Sequence, residues 1–343
     1  MKILVIFTGG TIGSSAAADG YFSPDETKPY KLLELYRKMS GDETRFETAE
    51  PYRTLSENLD GRHIRELLAC IRRGIQKGYD GIIVTHGTDT LQYTASALGY
   101  ALGNASVPVV LVSSNYILEN PKANGLQNFY YGVQFIRSQA GRGVFVSYKN
   151  EGKEPAIHRG TRLLPHEPYE DALYSIGKVP YGRFENCRFE AGGLLSTKAK
   201  TERFIKNPGY WEKEDEIPCL DWKWKDELSG VLWIWPYVGM VYPAINENIK
   251  AVLLGSYHSG TINTKSCQLR NFAEEAGKKG IPVYLTGARA GDTYESVKPL
   301  SGLGICVLPE ISPIAAYMKL SMALWEGRKL SSVMAGSLGG DLV

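Results

Sequence analysis

Five apolar residues in succession, Ile3-Leu4-Val5-Ile6-Phe7, stop at Thr8-Gly9-Gly10-Thr11-Ile12-Gly13. An unbroken apolar run of this length reads as a strand buried on both faces, as in a parallel sheet. The glycines let the backbone turn sharply and let a ligand approach it closely. Thr11 therefore stands just past the carboxyl end of a first, central strand, where open α/β sheets bind ligands. Two other readings of the run stay open. One is a tight β–α turn in which Thr11 only caps the next segment. The other is a nucleotide-phosphate loop, although the run matches neither G-x-G-x-x-G nor the Walker spacing with its lysine.

Strand and helix alternate from there. Residues 29–40 read as a helix, and residues 51–60 as a short extended stretch ending in a polar loop with Ser56 and Glu57. In the next helix Ile64, Leu67, Leu68, Ile71 and Ile75 repeat on one face. Residues 81–85 form the next buried strand, ending in His86-Gly87-Thr88-Asp89-Thr90. Leu91, Ala95, Leu98 and Leu102 then share a helix face, which Thr88 or Asp89 is placed to cap. That role is compatible with function, because a helix N-terminus favours anionic groups. Residues 107–112 make a strand leading into Ser113-Ser114-Asn115; residues 132–136 lie in a helix and 143–146 in a strand. This alternation predicts a doubly wound, mostly parallel sheet. Residues 150–190, with Pro155, Pro165, Pro168 and Pro180, read as irregular. A polar stretch around 195–228, from Lys198 and Lys200 to Trp222-Lys223-Trp224, reads as a connection. A second alternating block opens at Gly230-Val231-Leu232-Trp233-Ile234, with inner strands at 251–254 and 283–285. Ser312-Pro313 starts a helix that runs to about Glu326 and stops at Gly327. The expected organisation is an N-terminal α/β domain over 1–192, a linker over 193–228 and a smaller C-terminal domain over 229–343.

A chain of 343 residues has room for two such domains, each with a core. Its net charge of +2 argues against nucleic acid or an acidic membrane as a partner. No apolar run is long enough for a transmembrane helix. The N-terminus enters a strand directly, without a leader pattern, so a cytoplasmic location is expected. Cys70, Cys187, Cys219, Cys267 and Cys306 are scattered and free of C-x-x-C spacing, which predicts reduced, mostly buried thiols. No Cys/His cluster stands out, so no metal is expected.

Three strand-to-helix loops carry the polar groups: Thr11 with Tyr21, Ser56 with Glu57, and Thr88 with Asp89. Tyr21 ends a stretch of small residues that reads as a lid, and a plain surface tyrosine is the other reading. In a parallel sheet such loops lie on one edge and converge. Two threonines with carboxylates fit covalent catalysis by a threonine hydroxyl.

Thr8-Gly9-Gly10-Thr11-Ile12 and His86-Gly87-Thr88-Asp89-Thr90 together resemble the two signature motifs of the bacterial-type L-asparaginase family, and the resemblance covers nearly the whole chain. It implies a larger N-terminal doubly wound domain and a smaller flavodoxin-like C-terminal domain. The implied reaction is hydrolysis of a side-chain carboxamide to acid and ammonia through a threonine acyl-enzyme. No cofactor is implied, and the partner is a small amino-acid amide. The implied assembly is a homodimer or homotetramer with its sites at subunit contacts. On matching positions, Thr11 is the nucleophile, Tyr21 the lid tyrosine that helps activate it, and Thr88 part of the proton relay. Asp89 takes the substrate ammonium and Ser56 its α-carboxylate, with Glu57 where the family often has Gln. A zwitterion needs that pairing of an anion with hydrogen-bond donors. Ser113 and, more loosely, Tyr294 after Gly291-Asp292-Thr293 are further substrate-binding candidates.

The chain departs from the family at its relay lysine. The matching segment reads Arg159-Gly160-Thr161-Arg162-Leu163-Leu164-Pro165-His166. Arg162 and His166 are the candidate substitutes, the first as an electrostatic stabiliser and the second as a base. Ser113-Ser114-Asn115-Tyr116 and Tyr257-His258-Ser259-Gly260-Thr261 also depart, which makes His258 a candidate contact. Alternative functions stay open: hydrolysis of a different small amide, or amino-acid sensing by a catalytically weak homologue. The related archaeal amidotransferase subunit ranks behind them, since that reading expects an extra N-terminal domain and a strongly basic face.

Overall fold

The opening apolar run becomes β1 (Lys2–Phe7), buried at every residue after Lys2. β1 pairs in parallel with β4 (Arg45–Ala49) on one side and with β5 (Gly81–Thr85) on the other. It is not the central strand that the sequence suggests: only β4 lies beyond it, so β1 is second from one edge of an eight-stranded sheet. Next to β5 come β6 (Pro108–Val112) and then β7 (Gly143–Tyr148), also in parallel. The parallel strands thus run β4-β1-β5-β6-β7. Counted along the chain this is the doubly wound order whose switch point lies between the first and third strands, here β1 and β5. A small antiparallel ribbon, β2 (Ser14–Ala16) with β3 (Phe22–Pro24), succeeds the first turn. This computed structural model describes residues 1–16, 22–24, 28–103, 105–192, 219–221, 230–288 and 294–342.

Residues 150–190 are more regular than their prolines predict. β8 (Ala156–Arg159), β9 (Gly182–Glu185) and β10 (Arg188–Ala191) continue the sheet beyond β7, all antiparallel. Pro155 and Pro180 precede strands, and Pro165 and Pro168 lie in the loop between β8 and β9. None of them has to donate to the ladder, so proline here marks strand boundaries.

α1 (Lys28–Ser40) and α4 (Gly125–Ser138) cover one face of this sheet, and α2 (Gly61–Gln76) and α3 (Leu91–Ala101) the other. The predicted face of α2 is buried through Ile64, Leu67, Leu68 and Ile71. All of α3 except Tyr93 is buried. A helix buried on all sides needs cover on both, and here the second cover is the other domain. That domain holds four parallel strands in chain order, β11 (Val231–Ile234), β12 (Ala251–Leu254), β13 (Val283–Leu285) and β14 (Ile305–Val307). Its helices are α5 (Cys267–Lys278), α6 (Pro313–Glu326) and α7 (Leu330–Ala335). Ser312 caps α6 by accepting from Ala315 N, Pro313 opens it, and Gly327 closes it at φ 70°. α6 packs on α3, and Trp233 stacks on Tyr317 with ring centroids 5.3 Å apart beside Tyr93. Most of the expected linker lies outside the described residues. Within it, Leu220 is buried, and its N–H donates to the Tyr100 carbonyl at the end of α3.

Of the five cysteines only Cys70 is buried; Cys187, Cys267 and Cys306 are exposed. They sit in a hairpin turn, at a helix start and on the strand at the edge of the second sheet, where backbone geometry decides exposure. Among the described residues no helix is long and apolar enough to cross a membrane.

Two buried histidines make the fold acid-sensitive. Burial depresses His86 from an ordinary 6.5 to about 4, and His158 to about 3. Below pH 6.5 the unfolded chain takes up protons that the folded chain refuses until those lower values. Stability is therefore whole above pH 6.5 and declines as pH falls through the window, by up to about 1.4 kcal/mol per unit for each histidine. Urea unfolding at pH 7 and pH 5 tests this. The midpoint is expected to drop at pH 5, and an unchanged midpoint would show that these imidazoles are not held neutral.

Candidate active site

The carboxyl ends of β1 and β5 flank the switch point, and there the loops meet at backbone distance. Gly9 and Gly10 have φ of 101° and 77°. A Cβ on Gly9 would stand 2.3 Å from the Thr54 carbonyl oxygen, and one on Gly10 would stand 2.4 Å from the Gly87 Cα. A Cβ on Gly87 in turn would meet the Ser56 side chain at 2.4 Å. Three turns are thus stacked on one another, which only glycine permits. Ladder bonds reach past the strand ends to hold them. Thr54 N–H donates to the Thr8 carbonyl at 3.1 Å, and His86 N–H to the Val112 carbonyl at 2.9 Å. The Thr8 hydroxyl donates to the Thr85 carbonyl at 2.7 Å.

On this platform Thr11 opens a single 3₁₀ turn, Thr11–Gly13, and is half-buried. Ser56 is buried at the head of the Ser56–Asn58 turn, and its hydroxyl donates to Asp89 Oδ2 at 3.0 Å. An ionised carboxylate accepts several donors, so exposed Asp89 retains capacity for a cationic ligand group. Thr90 Oγ1 donates to the Ser56 carbonyl at 2.9 Å, which fixes the second loop to the third. Thr88 Oγ1 donates to the Ser114 carbonyl at 3.1 Å, leaving its lone pairs as acceptors. Neither Thr88 nor Asp89 caps α3. Thr90 occupies the cap position but accepts no bond from the helix N–H groups; its hydroxyl is turned to the Ser56 carbonyl instead. His86, the first residue of that motif, is fully buried, with Nδ1 on the Gly87 carbonyl and Nε2 on the Thr94 hydroxyl.

A fourth loop, over residues 163–175, lies against the end of β7. A bridge between Leu163 and Ser175 closes it, and Leu164 N–H donates to the Tyr174 carbonyl at 2.9 Å. Tyr148 and Asn150, at the end of β7, hold its far side through Asp171 and Leu173. His166 in this loop places Nδ1 3.1 Å from the Ala172 carbonyl. Nδ1 must donate in that contact, so Nε2 is left as the basic nitrogen, and it is buried without a partner. Burial pushes the imidazole below its ordinary pKa, while the Ala172 carbonyl and the charges of Asp89 and Asp171 pull the other way.

The remaining candidates fall elsewhere. Arg162 turns from the loops, its Nε and Nη2 donating to the carbonyls of Gly340 and Leu342 at 2.6 and 2.7 Å. Burial and nearby Arg159 lower its pKa to about 10, so it keeps its charge and is no base at neutral pH. Ser113 is 0% exposed, so contact with a ligand would require this edge to open. Glu57 is exposed beside Ser56. Tyr294 stands half-exposed on the second domain, at the head of the Glu295–Val297 turn, and His258 is exposed on the same domain. Tyr21 and residues 291–293 lie outside the described residues. Thr54, Thr90 and Ser114, which brace the site, were not singled out by the sequence; Thr90 was legible only as the last residue of its motif. Among the described residues no group of three or more His, Cys, Asp or Glu is arranged to hold a metal ion.

The family described as asparaginase, N-terminal, matches residues 2–190. Over nearly its whole length the chain is also similar to one of the subunits of archaeal glutamyl-tRNA(Gln) amidotransferase. For the Pyrococcus abyssi protein the identity is 24% over 350 residues, covering 97% of this chain and 74% of that one. For the Methanosarcina mazei protein it is 28% over 357 residues, covering 99% and 79%. Among solved structures, the thermostable L-asparaginase from Thermococcus kodakarensis superposes with a TM-score of 0.79 at 23% identity, over 100% of this chain and 99% of that one. L-asparaginase I from Vibrio cholerae gives 0.73 at 22%, with the same coverage. At these identities the structural likeness carries the fold.

Proposed function

The chain belongs to the asparaginase family, and from that premise we propose that it hydrolyses the side-chain carboxamide of a small amino acid through an ester on Thr11. The observation that carries this reading is the junction of three loops, where Ser56 meets Asp89 at 3.0 Å beside the turn that bears Thr11. Asp89 takes the substrate ammonium, and the Ser56 hydroxyl turns its one proton from Asp89 to the substrate carboxylate, with Glu57 and Tyr294 as further contacts. The carboxamide then faces Thr11. Thr11 Oγ attacks the amide carbon, and its proton passes to the leaving nitrogen. Backbone N–H groups of the turns meet the developing oxyanion. Ammonia departs, and water hydrolyses the ester, so that one difficult step becomes two easier ones. Thr88, Tyr21 and His166 form the relay. His166 is favoured over Arg162 because its Nε2 is an unprotonated base held in the field of Asp89, whereas the Arg162 guanidinium is occupied. Ser113 then supports this edge from beneath. The protein works as a cytoplasmic homo-oligomer with an N-terminal catalytic domain over 1–192 and a C-terminal domain over 229–343.

The amidotransferase relatives favour glutamine beside asparagine as the amide. Ammonia release from each amino acid by the purified protein is the test, with His166→Ala alongside. Release is expected from at least one of them, reduced about 10²- to 10⁴-fold in the variant, as for loss of a general base. A folded protein that releases none from either would overturn the reading in favour of another amide or of amino-acid sensing.

A further inference from the structure

We infer that Arg162 is a positioning residue through which the second domain holds the His166 loop in register with the other three loops. The inference rests on the proposed role of His166. Three hydrogen bonds from the foot of that loop reach segment 336–342: Thr161 Oγ1 to the Gly339 carbonyl at 2.9 Å, and the two from Arg162 to Gly340 and Leu342 at 2.6 and 2.7 Å. A fourth comes the other way, from the Ser312 hydroxyl at the start of α6 to the Leu163 carbonyl at 2.5 Å. Loop and second domain are therefore joined at three consecutive residues, Thr161, Arg162 and Leu163.

The segment that receives these bonds is itself fixed. Asp341 is 0% exposed and accepts from Lys319 Nζ at 2.8 Å, Tyr100 Oη at 3.0 Å, Ser337 Oγ at 3.1 Å and Leu338 N at 2.9 Å. Gly339 and Gly340 adopt φ of 56° and 70°. A Cβ on Gly339 would stand 2.7 Å from the Gly99 carbonyl, and one on Gly340 would stand 2.9 Å from Arg159 Cδ. The segment thus threads between α3 and β8 at contact distance, and its carbonyls face Thr161 and Arg162. Only a planar fork donates from two fixed nitrogens to two separate carbonyls; a lysine ammonium is a single point on a flexible stem. The loop is closed at its base by the Leu163–Ser175 bridge, so a displacement at Arg162 moves His166 with it. A base displaced by about 1 Å loses on the order of 10²-fold in rate.

Amide hydrogen exchange over residues 163–175 of the full chain reads the clamp without any substrate. Arg162→Lys is expected to speed exchange in that segment about tenfold and to leave α2 unchanged. On the amide that the wild type hydrolyses, kcat should fall about 10- to 100-fold with KM held within about twofold. Because Arg162 acts through His166, the Arg162→Lys/His166→Ala double variant should be no slower than His166→Ala alone. If Arg162→Lys does not fold, Thr161→Val removes one clamp and should give the same pattern more weakly. Unchanged exchange in both variants, or rate losses that multiply in the double variant, would overturn the inference. Hydrolysis indifferent to His166→Ala would instead remove the base on which the inference stands, while exchange still reports whether the clamp exists.

Discussion

Replacing Thr11 with alanine is expected to remove amide hydrolysis, with kcat/KM falling by about 10⁴-fold or more, as when the nucleophile of a covalent mechanism is deleted. The fold should survive. Thr11 is half-buried in a single turn after β1 and fills no core site, and such substitutions change stability by about 1 kcal/mol or less. Thr11→Ser, which keeps a hydroxyl on the same turn, should recover part of the rate. Thr11→Ala should also still bind the amino acid, raising the thermal unfolding midpoint with ligand concentration, because Ser56 and Asp89 are untouched. Full turnover in Thr11→Ala would transfer the nucleophile to another group, and Thr88 would be the first to examine.

The largest expected loss of stability lies away from the site. Lys319 and Asp341 are both 0% exposed and pair at 2.8 Å. Lys319→Met keeps most of the volume but leaves the Asp341 carboxylate buried with only neutral donors, from Tyr100, Ser337 and Leu338. Breaking a buried pair by removing one partner costs about 3–5 kcal/mol. Urea unfolding of the variant should show that loss. Lys319→Met/Asp341→Asn should regain part of it, because the orphaned charge is gone and an amide oxygen still accepts. A loss under about 1 kcal/mol in Lys319→Met would mean that water reaches the pair in solution. The pair has a structural reason to exist where it does: it locks α6 to segment 336–342 and, through Tyr100, to α3.

What could be read before the fold was known had a local cause. The run over Ile3–Phe7, the repeat of Ile64, Leu67, Leu68 and Ile71, and Ser312-Pro313 with Gly327 depend on side-chain periodicity or backbone chemistry within a few residues. The positions of the Thr11, Ser56 and Thr88–Asp89 loops were legible for a related reason, since parallel strands put their succeeding turns on one edge. β8–β10 escaped because prolines at strand boundaries resemble irregular chain, and the exposure of Cys187, Cys267 and Cys306 escaped because it depends on where each strand or helix ends.

Tertiary structure decided the rest. Thr88 and Asp89 were indistinguishable as helix caps until folding gave the cap position to Thr90, turned the Thr88 hydroxyl to the Ser114 carbonyl and left Asp89 at the Ser56 hydroxyl. Arg162 and His166 were both candidates along the chain, the first as an electrostatic stabiliser and the second as a base. Separating them required residues 178 and 180 positions away from Arg162, whose carbonyls take the guanidinium, and a loop closure that buries the His166 nitrogen near Asp89. By itself the sequence determined where strands end and which polar groups come after them, because that is written in short-range periodicity. Which of those groups face one another is set by hydrogen bonds and burial between segments far apart in the chain, and no local pattern contains it.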